Sequence, residues 1–137
     1  MRTLALDLGS KTVGIAISDA LGMLARPVKT IRFSEDNYDE AIRLVIDEIN
    51  ISEVSEIVLG LPKHMNGDIG IRGQISVDFK NELTKLIKQP VILWDERLST
   101  KSAERMLIKS NMRREKRKQV IDQAAAVTIL QSYLDSK

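Results

Sequence analysis

The order of segments predicts an α/β fold: a five-stranded mixed sheet, made of an antiparallel three-strand meander plus two parallel strands, flanked by helices on both faces. Three observations predict it. The first 32 residues hold three apolar or β-branched runs parted only by short polar turns, the pattern of a meander. From Asn37 onward, stretches of helical period alternate with two short apolar runs, 56–61 and 91–95. The length, 137 residues with 43% hydrophobic and 29% charged, suits one domain over 1–137 with a proper core.

The first two strands lie in RTLALDLGSKTVGIAIS, Arg2 to Ser18, where the apolar run breaks at Gly9 and resumes around Gly14. Period-2 alternation puts Thr3, Ala5 and Asp7 on one face and Leu4, Leu6 and Leu8 on the other. Asp7 therefore projects from the middle of a sheet, which is costly unless a metal or a cation holds it. The alternative is a strand-end Asp bonded to turn amides. Met23 to Arg32 is the third strand, and Pro27 makes its start an edge or a bulge.

Asn37 with Glu40 three residues on resembles a capping box, and Tyr38, Ala41, Ile42, Val45, Ile46 and Ile49 follow at helical spacing. The outer face of that helix carries most of the acids. Glu56 to Leu61, EIVLGL, is a short buried strand ended by Gly60 and Pro62. The loop from Leu61 to Arg72 has a length at which connections are either functional or plain surface. His64, the one histidine, reads more readily as a polar loop residue than as a ligand.

A second helix is expected from about Gly73 to Lys88, with Ile75, Phe79, Leu83, Leu86 and Ile87 inward and Pro90 as its stop. Val91 to Asp95 is the fifth strand, with Trp94 buried in it. It delivers Asp95 and Glu96, of which only one can share a face with a given target. Ser99 or Thr100 would cap a further helix on which Arg97, Lys101, Arg105, Lys109 and Arg113 recur every four residues. Arg114, Lys116, Arg117 and Lys118 extend that basic row. In the final helix, about Gln119 to Leu134, Asp122 heads an apolar stripe of Ala126, Ile129 and Tyr133, although a carboxylate near a helix N-terminus is favoured in any case.

Charge is unevenly spread. Glu35 to Glu56 holds eight acids and one base, a local −7, whereas Arg97 to Lys118 holds nine bases and two acids, a local +7, against +2 for the whole chain. The second half is where a polyanion would bind. With no cysteine, disulfides and thiolate chemistry are excluded. No run is long enough to span a bilayer and no charged-then-apolar leader opens the chain, so a soluble, cytoplasmic protein without membrane contact is expected. With five aromatic residues, stacking platforms for single-stranded bases are not evident, which favours recognition of a helical or branched backbone by shape.

DLGSKTVGIAISD, GLPKHMNGD, WDERLSTKSAE and IDQAAAVTILQSYL, in that order and spanning essentially the whole chain, resemble the YqgF or RuvX family, whose fold is RNase H-like. Leu8, Ser10, Lys63 and His64 depart from its commoner residues. The resemblance implies a nuclease for the 5′ end of pre-16S ribosomal RNA or a Holliday junction resolvase, with Asp7, Glu96 and Asp122 as catalytic acids and metal ligands.

For such chemistry two Mg²⁺ or Mn²⁺ ions about 4 Å apart need clustered carboxylates. Asp7 would bridge them, with Glu96 and Asp122 on one ion each. Asp122 is followed by Gln123 and three alanines, without a second acid nearby, so the second ion is expected to bind more weakly. Lys11 and Arg97 would contact phosphates near the cut, although Arg97 can equally pair with Asp95. The basic row would hold the backbone of structured RNA or branched DNA.

Two readings from other classes stand beside the endonuclease. One is a nucleic-acid-binding ribosome-assembly module that cleaves weakly or not at all. The other is an actin-like ATPase, which needs two such domains and a second phosphate loop. Monomer and homodimer both stay open.

Overall fold

In the computed structural model, which describes residues 2–64, 66–98 and 114–137 with the side chains of 114–124 excepted, five strands form one sheet in the order β3-β2-β1-β4-β5. They are β1 (Thr3–Leu8), β2 (Thr12–Ser18), β3 (Ala25–Arg32), β4 (Glu56–Leu61) and β5 (Val91–Asp95). The first three pair antiparallel, and β4 and β5 run parallel to β1. The helices are α1 (Tyr38–Ser52), α2 (Ile71–Leu86) and α3 (Arg114–Asp135), with a 3₁₀ turn at Glu96–Leu98. The expected helix after Ser99 or Thr100, with Lys101, Arg105, Lys109 and Arg113, lies outside the described residues. Among the described residues, no helix is long and apolar enough to cross a membrane.

Alternation sorts the strands between two cores, as expected. Leu4, Leu6 and Leu8 of β1, with Val13, Ile15 and Ile17 of β2, join Ala41, Ile42, Val45 and Ile49 of α1 and Phe79 and Leu83 of α2. On the other face the smaller Ala5, Ala16 and Val58 meet Ala126, Ile129, Leu130 and Tyr133 of α3. β1 and β4 are thus covered on both sides, which is why their sequences are nearly continuously apolar. Asp7 lies on the α3 side of the sheet.

Local signals hold in detail. The Asn37 side chain accepts from the Glu40 amide at 3.2 Å, while the Glu40 carboxylate reaches back to Ser34. Pro27 sits beside a bulge, because Lys29 pairs with Ile15 and Pro27 with Ala16, leaving Val28 over. Other expectations needed correction. β3 begins at Ala25 rather than Met23, and Met23 and Leu24 are exposed. Helix α2 starts at Ile71, two residues early, and Leu86, expected to face inward, is its last residue and is 61% exposed. Glu48 of α1 is buried, unlike its acidic neighbours, and pairs with Lys29 at 2.9 Å. Trp94 is only half-buried: its edge meets Tyr133, centroids 5.4 Å apart, and its indole N–H donates to Ser132.

Candidate active site

Parallel strands in an α/β sheet end at one edge, and ligand sites gather there because the loops diverge. At this edge β1 ends at Leu8, β4 at Leu61 and β5 at Asp95, β2 begins at Thr12, and α2 begins at Ile71. A cleft of about 290 Å³ opens between them, lined by Asp7, Gly9, Thr12, Gly14, Arg72 and Glu96 among others.

Two of the three predicted acids meet in it. Asp7 is the penultimate residue of β1 and Glu96 is the residue after β5, and their carboxyl groups share a hydrogen bond. Burial raises the pKa of Asp7, against the lowering effects of that bond and of Arg72. Burial, then the charge of Asp7 and the bond to it, push Glu96 up to about 8. Two like charges so close cannot both stay ionised, so the pair holds one proton between its carboxyl groups.

Glycines make the approach possible. Gly14 faces Asp7 across the β1–β2 ladder, and a β-carbon there would lie 3.7 Å from both Asp7 Cβ and Ala126 Cβ. On β4, a β-carbon at Gly60 would come within 2.5 Å of Glu96 Oε1 and 2.7 Å of Ile129 Cδ1. The third acid, Asp122, falls on α3 four residues, about one turn, before Ala126. Its side chain lies outside the described residues, as do those of Arg114, Lys116, Arg117 and Lys118. Among the described residues, no group of three potential metal ligands is found.

Asp95 points away from this pair in function. It is held below the usual carboxylate range, chiefly by its hydrogen bonds from Arg97. Arg97 Nη2 lies 2.7 Å from Asp95 Oδ2, and Arg97 also donates to the His64 carbonyl at 3.4 Å. That contact and Lys63, 4.0 Å from Asp95, fasten the 62–70 loop over the end of β5. The pairing of Arg97 with Asp95 was one of the two roles open to it. His64 is exposed, with its ring against Gly70, and is not among the residues lining the cleft. Lys11 is exposed on the turn between β1 and β2, next to the cleft-lining Thr12.

Sequence reasoning missed Arg72 and the two glycines. Arg72 sits on the first turn of α2, donates to the Leu8 carbonyl and the Tyr38 hydroxyl at 3.2 Å each, and lowers both carboxyl pKa values. A glycine inside a strand marks a close approach by another group, so Gly14 and Gly60 were available as signals. Arg72 carried no such mark.

A mixed sheet with this strand order and helices on both faces is an RNase H-like fold, here with Asp7 near the end of its central strand and Glu96 just after its edge strand β5. The chain belongs to the RuvX family: the family model, described as Holliday junction resolvase, matches residues 1–136. Among similar proteins are those of Oceanobacillus iheyensis, 51% identical, and Geobacillus sp. (strain WCH70), 53% identical, both called "Putative pre-16S rRNA nuclease". Each alignment spans all of this chain and 100% or 99% of the relative. Among solved structures, RuvC of Thermus thermophilus in complex with a Holliday junction substrate is similar, with a TM-score of 0.62 at 11% identity, over 96% of this chain and 92% of the other. The fowlpox virus Holliday junction resolvase matches with a TM-score of 0.58 at 17% identity, over the full length of both. These two likenesses bear on the fold.

Proposed function

We propose that this protein is a metal-dependent endonuclease that hydrolyses phosphodiester bonds in structured nucleic acid, processing the 5′ end of pre-16S rRNA or resolving Holliday junctions. The observation that carries the reading is the Asp7–Glu96 pair, two carboxyl groups from distant strands in hydrogen-bonding contact in an open cleft. The donor set fits Mg²⁺ or Mn²⁺: both are hard cations that take carboxylate oxygen, and a cation relieves the repulsion that the proton now relieves. Asp7, Glu96 and Asp122 would hold it. When bound, such an ion supplies an activated water and stabilises charge on the phosphate and the leaving oxygen.

The chain's own groups do the rest. Glu96 would have to be ionised to hold such an ion, and Gly60 leaves room for its carboxyl group. Lys11, exposed beside the cleft-lining Thr12, would contact a flanking phosphate, and Arg97 with the basic row through Lys118 would supply backbone affinity without sequence choice. A cytoplasmic site of action accords with that substrate.

Cleavage of a labelled four-way junction and of a pre-16S leader RNA, with and without Mg²⁺ or Mn²⁺, tests this. Metal-dependent cutting by the wild type, lost in Asp7→Asn, is expected, and the substrate cut names the target. Two symmetric cuts in a junction would call for a homodimer, whereas trimming one RNA end needs one site. Binding of both substrates without cutting would favour the assembly-module reading, which the absence of a second acid close after Asp122 allows.

A further inference from the structure

Arg72 is held in place by uncharged partners. One Nη donates to the Leu8 carbonyl and the other to the Tyr38 hydroxyl, both at 3.2 Å. Of the five guanidinium N–H groups, these bonds take two. The Tyr38 hydroxyl in turn donates to Asp36 Oδ1 at 3.2 Å, and the Asp36 amide donates to the Ser10 carbonyl at 2.8 Å. The end of β1, the start of α1 and the start of α2 thus converge to fix one half-buried cation on the wall that Asp7 and Glu96 also line. Arg97, nearest to Glu96 in sequence, has its fork turned to Asp95 instead.

A cleft of carboxylates repels a phosphodiester unless a cation lies beside it. A fixed guanidinium with N–H groups to spare matches two phosphate oxygens at little cost in order. We infer that Arg72 binds the phosphate of the nucleic acid lying over the Asp7–Glu96 pair, and that Tyr38 is a positioning residue that aims it. The inference rests on the nucleic-acid substrate proposed above, and it adds a contact on α2 that the basic row from Arg97 to Lys118 does not include.

The test has two arms. In the intact protein, the Nε–Hε NMR resonance of Arg72, assigned by its loss in Arg72→Lys, is followed as a 12-base-pair RNA duplex or a four-way DNA junction is added. A shift that saturates with binding is expected. An unmoved resonance at saturation, or no binding of either probe, overturns the inference, and this arm needs no cleavage.

The second arm measures affinity with Ca²⁺ in place of Mg²⁺. Arg72→Gln is expected to weaken binding roughly tenfold or more, with Arg72→Lys recovering part of it, as for a charge-assisted bond. Tyr38→Phe keeps the ring that packs on Phe33 and is expected to weaken binding about threefold, with Arg72→Lys insensitive to it. A neutral methylphosphonate at the phosphate cut by the wild type removes the effect of Arg72→Gln. An equal loss on charged and neutral substrate overturns the phosphate contact. If the wild type cuts nothing, the endonuclease reading fails while the NMR arm still decides the role of Arg72.

Discussion

Glu96 rests against the α-carbon of Gly60: a β-carbon on Gly60 would lie 2.5 Å from Glu96 Oε1 and 2.7 Å from Ile129 Cδ1. Gly60→Ala therefore cannot be accepted without displacing the acid, the helix α3 side chain, or both. Overpacking of this kind costs about 1–3 kcal/mol. Chemical denaturation should show that loss, and titration with Mn²⁺ should show weaker binding than in the wild type. Unchanged metal affinity would mean that the Ile129 side chain, and not Glu96, gives way to the new methyl group.

The raised pKa of Glu96 sets the pH dependence of the metal-free protein. Glu96 keeps its proton up to about 8 in the fold but loses it near 4.5 when unfolded. Across that window folding takes up a proton, so stability falls as pH rises and levels off above about 8. Asp7, also raised, adds to the same trend. Glu96→Gln should flatten the slope and raise Tm at pH 8 by a few degrees, roughly 1–2 kcal/mol. Calorimetry from pH 5 to 9 in EDTA checks it.

Metal should act oppositely. Because ligand carboxyls must be ionised, the rise in Tm on adding Mg²⁺ or Mn²⁺ should grow between pH 6 and 8. Asp7→Asn should abolish that rise while leaving the metal-free protein at least as stable as the wild type. Thermal denaturation with and without the ion reads both.

The C-terminus is tied to the start of β4 through Glu56, which accepts from Thr3, Tyr133 and Lys137. Burial raises its pKa, but those bonds outweigh it and the net shift is downward. Glu56 thus contributes stability above its ordinary pKa that is lost as pH falls through its lower folded value. Glu56→Gln should cost about 0.5–1 kcal/mol at pH 7 and nothing measurable near pH 2.5. Urea titrations at the two pH values distinguish these outcomes.

The two ends of the apolar scale give a further check. Leu6→Ala, at a fully buried site, should cost about 2–5 kcal/mol, and Leu86→Ala, mostly exposed, within roughly 0.5 kcal/mol. Equal losses would contradict the placement of α2.

Strand and helix order was legible in the chain because those signals are local: alternation in LALDL, the Asn37–Glu40 cap and Pro27 at a bulge each act within a few residues. Asp7 was legible as a site residue because a carboxylate on an otherwise inward strand breaks the pattern. Glu96 was named with it, but its distance to Asp7 was not, since 88 residues of intervening chain leave that pair to the β1–β4–β5 register. The family resemblance already chose Glu96 over Asp95, but alternation alone left the two acids equivalent; the tertiary structure shows the physical reason, with Glu96 in the cleft and Asp95 held by Arg97. Arg72 was hidden for the same reason: an arginine at the start of a helix looks like any surface base until the Leu8 carbonyl and the Tyr38 hydroxyl are found on either side of it. Composition and period determine which face of an element is buried; the packing of elements distant in sequence determines which charges meet, because electrostatic partners are chosen by distance in space.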